Sequence, residues 1–295
     1  MKDLGAAKKI LGMEINRNRS EGALWLSQEG YLNKILETYN MSEPKPAMTP
    51  LGAHFKFQAA TEQKLVRDED FMKFVPYSSA VGSIMYAMIG TRPDLAYPVG
   101  IVSRFMSKPS KDHWVGVKWV LRYIKDTLKT RLCYKKSSSF KIVGYCDANY
   151  VDDLDKRRSI TGLGFTLGGN TISWKSSLQR VVAQSTTESE YMSLNEAVNE
   201  AVWLKGLLKD FRYDQKSVEV FCDSQRAIPL SKNNVHHERT KHIDVKFHYI
   251  REIISDGTVE VLKITTEKNP EDIFTKVLAV SKFQIALNLL RVKSE

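Results

Sequence analysis

The sequence predicts an α/β chain built on a mixed sheet, of the α+β kind. Three strand-like runs follow one another, Ile142 to Asp147, Ser159 to Leu167 and Thr171 to Trp174, and Gly168-Gly169-Asn170 signals a hairpin turn between the last two. A long helical pattern then runs from about Thr187 to Phe211. Two more strand-like runs, Val218 to Asp223 and Val259 to Ile264, are separated by helical stretches, so the sheet should be mixed and have helices packed against it.

The elements before this domain read differently. Leu11 to Ile15 and Ala23 to Leu26 form an expected hairpin around Ser20-Glu21-Gly22. Ser27 is the expected cap of a helix carrying Tyr31, Leu32, Ile35, Leu36 and Tyr39. Pro44, Pro46 and Pro50 force extended chain, and the polar stretch from Gly52 to about Asp70 reads as mobile. Residues 76–130 read as three helices: Tyr77 to Ile89, one starting at Arg92-Pro93-Asp94, and one capped by Ser110. The third carries Trp114, Val117, Val120, Leu121 and Ile124 on one face and Lys111, Lys118, Arg122 and Lys125 on the other. That basic face is either solvated or a groove for a nucleic-acid backbone.

Lys135-Lys136-Ser137-Ser138-Ser139 reads as a linker. The expected boundaries are 1–75, 76–135, 140–280 and a helix or tail over 281–295. Beyond the long helix, Ser224 to Leu230 and Thr240 to Ser255 read as helices. Asn269 then caps a last helix with Pro270 at its first position.

Composition sets outer bounds. The chain has 295 residues with 42% hydrophobic and 26% charged side chains, which is ordinary for a protein with a packed core. No run reaches membrane-helix length, and the N-terminus has no signal-peptide core. Three cysteines make no disulfide framework, and their spacing fits no zinc site. Cys146 and Cys222 each precede a strand-end Asp, so period-2 alternation turns them away from the acids as buried thiols. These features point to a reducing intracellular setting. The net charge of +10, from 44 Lys+Arg against 34 Asp+Glu, favours polyanion partners.

The chemistry gathers around Ser185 to Ala197. Leu194, Ala197, Ala201, Leu204 and Leu208 make an inward stripe, and one turn back that stripe lands on Glu190. Glu188 lies on the face of Asn195 and Asn199 and reads as solvent-facing. A carboxylate on a buried face needs a cation partner, a metal, a catalytic role or the helix dipole. Asp147 and Asp223 each end an expected strand. If those strands are neighbours, three carboxylates meet at one sheet edge, and divalent cations would relieve their repulsion. Asp272, at a helix start, could close the set.

Tyr145 to Ala148, Ser185 to Tyr191, Cys222 to Gln225, Thr240 to Asp244 and Asp272 to Lys276 resemble, in order and spacing, the RNase H domain of copia-type retrotransposon Pol polyproteins. Met1 to Met13 resembles the end of that family's reverse-transcriptase palm. Val75 to Gly82 and Thr91 to Asp94 resemble its thumb and connection region. The resemblance implies an RNase H-like domain preceded by a mostly helical thumb or connection remnant. It also implies Asp147, Glu190, Asp223 and Asp272 as catalytic metal ligands and Mg²⁺ as the cofactor, two ions, with Mn²⁺ as an alternative. The expected function is hydrolysis of the RNA strand of RNA–DNA hybrids during reverse transcription. Its rival is an inactive fragment that at most binds nucleic acid.

Lys118, Arg122 and His242 are the candidate nucleic-acid contacts; His242, with His236 and His237, faces substrate or surface, with a metal-ligand role the alternative. Further partners would be the palm, fingers and integrase of the same polyprotein, with no membrane. The expected location is a cytoplasmic particle or the nucleus, not secretion. The family usually has Ala where this chain has Glu271, and that extra carboxylate could assist or disturb metal binding. Tyr150-Val151-Asp152-Asp153 spells a polymerase signature, but a charged loop follows it and it lies downstream of the thumb-like region, so no polymerase activity is expected. The chain therefore reads as the C-terminal part of a larger polyprotein.

Overall fold

The computed structural model describes residues 5–42, 45–225, 227–232 and 244–293. The chain divides into two compact units, residues 1–136 with 277–295, and residues 137–276.

The first unit opens with β1 (Lys9–Ile10), β2 (Met13–Asn18) and β3 (Ala23–Ser27), a meander in which Ile15 pairs with Leu26. α1 (Glu29–Thr38) follows, and Gln28, not Ser27, is its N-cap, because Ser27 is still held in the β2–β3 ladder. The stretch expected to be mobile contains a helix, α2 (Glu62–Met72). Its signal is the Thr61 hydroxyl, which accepts from the Lys64 N–H at 3.4 Å. α3 (Tyr77–Gly90) and α4 (Ala96–Ser103) bury small and aliphatic side chains, and the Tyr77 hydroxyl donates to the Val102 carbonyl at 2.8 Å. α5 (Lys111–Asp126) starts at Ser110, whose N–H donates to His113 Nδ1 at 2.9 Å. β4 (Arg131–Lys135) then pairs with β3, so Lys135 belongs to a strand rather than a linker. Apart from α2 the helices fall where expected, whereas β1 and β4 were not expected.

A buried ion pair ties this unit together. Arg92 and Asp94 are fully buried, with Arg92 Nη2 at 2.7 Å and Nε at 3.0 Å from the carboxylate. The guanidinium also donates to the Thr127 hydroxyl at 2.7 Å, and the Tyr123 hydroxyl donates to Asp94 at 2.8 Å. Such a pair is retained only when its remaining donors and acceptors are met, and here they are.

In the second unit β5 (Ile142–Asn149), β6 (Ile160–Leu167) and β7 (Asn170–Leu178) form the expected antiparallel run. The turn between β6 and β7 uses Gly168 and Gly169, both at positive φ (57° and 76°), where side chains are strained. α6 (Thr186–Asp210) leads to β8 (Val218–Cys222), which pairs in parallel with β5. α7 (Ala227–Lys232) and α8 (Asp244–Ser255) lead to β9 (Val259–Lys263), parallel to β8. The sheet order is therefore β7-β6-β5-β8-β9, a mixed sheet in which β7, β6 and β5 run antiparallel and β5, β8 and β9 run parallel.

One face of this sheet is the core. Leu194, Ala197, Ala201 and Leu204 of α6 pack on Cys146, Leu163, Phe165, Val220 and Cys222. The other face holds a short last helix, α9 (Asp272–Thr275), with Glu271 as its N-cap; Asn269 and Pro270 precede it. α9 sits tightly on β6. A Cβ at Gly162 would collide with Thr275, and one at Gly164 with the Glu271 carboxylate.

The chain then rejoins the first unit. α10 (Val280–Leu289) sets Phe283 edge-on to Tyr123 at 5.8 Å, and β10 (Val292–Lys293) pairs antiparallel with β4. The first unit's sheet thus has the order β1-β2-β3-β4-β10.

Candidate active site

The parallel pairing of β5 with β8 makes the site. Cys146 and Cys222 are Cα partners, so the next residues, Asp147 and Asp223, follow the last β5–β8 pair side by side: β8 ends there, while β5 continues to Asn149 against β6. α6 crosses above that point. Its Ser193 hydroxyl donates to the Asp147 carbonyl at 2.8 Å, and Glu190 lies one turn earlier. Glu190, Asp223 and Cys222 offer ligand atoms that all lie within 4.8 Å of one another. Asp272 enters from α9, whose Thr275 hydroxyl donates to the Asp147 carboxylate. The Lys276 ammonium lies 2.6 Å from Asp272 Oδ1 and 3.6 Å from Asp147 Oδ2. The Thr266 hydroxyl donates to Asp223 at 2.9 Å.

Burial and crowding shape the charges. Burial pushes the Asp147 carboxyl up to about 6, with Asp272 and Asp223 adding to the rise and Lys276 and the Thr275 hydroxyl opposing it. Burial likewise takes Glu190 up to about 10, reinforced by Asp147, Cys222 and Asp223, while the Ala148 N–H partly offsets it. Glu190 Oε2 is buried without a hydrogen-bond partner. Lys276 is held above the usual ammonium range; burial works against its charge, but Asp147 and Asp272 outweigh it. Glu271 is fully buried and neither of its oxygens has a hydrogen-bond partner; burial, then Asp147 and Asp272, push it well above the carboxylate range. The carboxylate oxygens of Glu190 and Asp223, with Glu190 Oε2 orphaned, fit a hard divalent cation, and the buried Cys222 thiol beside them is not a ligand such an ion requires.

Two expectations on α6 need correction. Glu188 is buried, not solvent-facing, because Ser185 is the N-cap: its hydroxyl accepts from the Glu188 N–H at 3.2 Å, and Glu188 reaches back to the Gln184 N–H at 2.8 Å. Asn195, placed on the same outer face, is buried as well. The cysteines are fully buried, as alternation requires, yet Cys222 Sγ still falls among the ligand atoms of the site. Lys276 and Thr275 were quoted within a motif but given no role. The i,i+4 spacing of Asp272 and Lys276 was their only signal.

No protein-family model matches the chain. Relatives do. The retrovirus-related Pol polyprotein from transposon TNT 1-94 of Nicotiana tabacum is 49% identical over 294 residues, covering all of this chain and 22% of that protein. The corresponding polyprotein from transposon RE2 of Arabidopsis thaliana is 34% identical over 276 residues, covering 93% of this chain and 18% of that protein. The chain belongs to the Pol polyproteins of copia-type retrotransposons. It spans about one fifth of the length of these relatives. Among solved structures, LC11-RNase H1 isolated from compost aligns with 46% of this chain and 93% of its own, at 22% identity and a TM-score of 0.36.

Against this copia-type Pol background the remaining candidates fall as follows. His242, His236 and His237 lie outside the described residues. Arg122 donates to the carbonyls of Lys45 at 2.6 Å and Pro46 at 3.4 Å and lies 4.8 Å over the Trp119 ring, so it fastens the 45–46 segment. Lys118, on the same helix, is partly exposed. Tyr150 to Asp153 fall in the β5–β6 loop. There Asp153 accepts from the N–H groups of Asp155 and Lys156, and Asp152 accepts from Asn149, so both acids act as turn acceptors. No helix among the described residues is long and apolar enough to cross a membrane.

Proposed function

We propose that the second unit is a metal-dependent ribonuclease H that hydrolyses the RNA strand of RNA–DNA hybrids formed in reverse transcription. The observation that carries this is the Cys146–Cys222 register, which puts Asp147 and Asp223 side by side beneath Glu190. Asp147, Glu190, Asp223 and Asp272 would hold Mg²⁺, as two ions, with Mn²⁺ as the alternative. Bound there, the ions would supply an activated water and stabilise the departing 3′-oxygen.

The chain's own groups prepare that chemistry. Ser193 fixes the end of β5 through the Asp147 carbonyl, Thr275 orients the Asp147 carboxylate, and Thr266 orients Asp223. Burial, with crowding by neighbouring acids added to it, disfavours the charged forms of Asp147 and Glu190, and a bound cation would offset that for both at once. Recognition of the hybrid would be by shape and 2′-hydroxyls rather than sequence. The net charge of +10 suits a polyanion, and Lys118, partly exposed, is the candidate contact on the basic face of α5. In the transposon the palm, fingers and integrase would be its neighbours, and its action would fall in a cytoplasmic particle or the nucleus.

The test is cleavage of an end-labelled RNA–DNA hybrid by the purified chain in Mg²⁺, with EDTA as control. Metal-dependent cutting of the RNA strand alone, lost in Asp147→Asn, is the expected result. A folded chain that binds the hybrid and never cuts it would establish the inactive, binding-only fragment instead.

A further inference from the structure

Lys276 follows α9 as its C-cap, in extended backbone (φ −150°, ψ 163°). Its stem runs in from solvent, with 35% of the side chain exposed, and its ammonium reaches two carboxylates that are themselves buried. The contact to Asp272 at 2.6 Å is a full ion pair; that to Asp147 at 3.6 Å is looser. A Mg²⁺ ion shared by the same two carboxylates would need its oxygens at about 2.0–2.1 Å, in the space the ammonium now fills. The two cations exclude one another.

We propose that Lys276 is an exchangeable resident counter-cation of the Asp147–Asp272 pair. It keeps the two carboxylates together in the metal-free protein and must withdraw before a divalent ion binds them, so it sets the metal concentration at which the site fills. This rests on the reading of these acids as a metal site. The charge balance favours the exchange: one ammonium offsets one of two buried carboxylates, whereas one divalent ion offsets both. Lysine suits the role, being a compact charge on a flexible stem, where arginine would lock on through a planar fork. The Thr275 hydroxyl holds Asp147 by a separate bond, so the carboxylate stays oriented when the ammonium leaves.

The experiment is Mn²⁺ binding to the whole chain, followed by electron paramagnetic resonance and calorimetry, for the natural protein, Lys276→Met and Lys276→Arg, with circular dichroism to confirm folding. Lys276→Met is expected to bind Mn²⁺ about tenfold tighter, the effect of removing one partly buried competing charge. It should also melt lower in EDTA and recover in Mn²⁺. Lys276→Arg keeps the competing charge and is expected to bind no tighter than the natural protein. If Lys276→Met does not fold, Lys276→Gln takes its place. Equal or weaker Mn²⁺ binding by a folded neutral variant overturns the proposal while leaving the metal site standing. No Mn²⁺ binding by any folded form removes the metal site, and the proposal with it.

Discussion

The carboxylate of Glu271 occupies the volume that a side chain at Gly164 would need. β6 therefore carries a glycine because the helix above it carries a glutamate. Gly164→Ala should destabilise the protein by about 1–3 kcal/mol, an overpacking effect. Glu271→Ala removes a buried, unpartnered carboxyl, and that gain offsets the lost packing, so it should be neutral or stabilising. In the Glu271→Ala background the Gly164→Ala penalty should fall below about 1 kcal/mol. Urea unfolding of the four proteins closes the cycle, and additive effects would refute the coupling.

Glu190→Gln separates stability from chemistry. Burial, reinforced by Asp147 and Asp223, keeps the metal-free carboxyl protonated near neutral pH, and its Oε2 is orphaned. Gln is a neutral group of the same shape, so the metal-free melting temperature at pH 7 should change by less than about 2 °C while hybrid cleavage is abolished. A thermal scan in EDTA beside the cleavage assay reads both; a large rise in melting point would mean that the carboxyl was ionised.

The same acids set a pH dependence. Asp147 sits at about 6 and Glu190 at about 10, both above the unfolded values of roughly 3.9 and 4.3. A raised carboxyl contributes stability below its unfolded value and loses it as pH climbs through the folded value. Metal-free protein should therefore melt progressively lower from about pH 4 upward, first as Asp147 and then as Glu190 ionises. Mg²⁺ at pH 8 should reverse the fall, because it binds the ionised forms. Melting curves at pH 5 and pH 8, with and without Mg²⁺, check the sign.

In the first unit, Arg92→Ala should cost about 3–5 kcal/mol, since it strands the buried Asp94 carboxylate. Tyr123→Phe removes one hydrogen bond to that carboxylate and should cost about 1.5–3 kcal/mol. Denaturant titration ranks the two, and an equal loss would mean the ion pair is not the centre of the network.

Much of the second unit was legible because its signals are local. Alternating apolar runs, a two-glycine turn and a capped amphipathic helix need no distant partner to be read. The acids were legible as strand-end residues, but their meeting depended on β5 and β8 being neighbours, which no local pattern states. Glu188 was misread because its carboxylate folds back to the Gln184 N–H ahead of the helix, which draws it inward against its helical-face assignment. α2 was missed because its polar sequence buries only Asp68 and offers no apolar stripe. β10 was missed because it is two residues long, and β4 because it runs straight into the Lys135 to Ser139 stretch that reads as a linker.

β4 finds one neighbour in β3, which precedes it with all of α1 to α5 in between, and the other in β10, which is made only after all of residues 137–276. The second unit is thus an insertion within its companion. During synthesis β4 would emerge early and keep an open edge on the ribosome while a whole second core collapses downstream. The second unit is one continuous segment that a single pair of cuts could release, whereas the first can close its sheet only when β10 arrives.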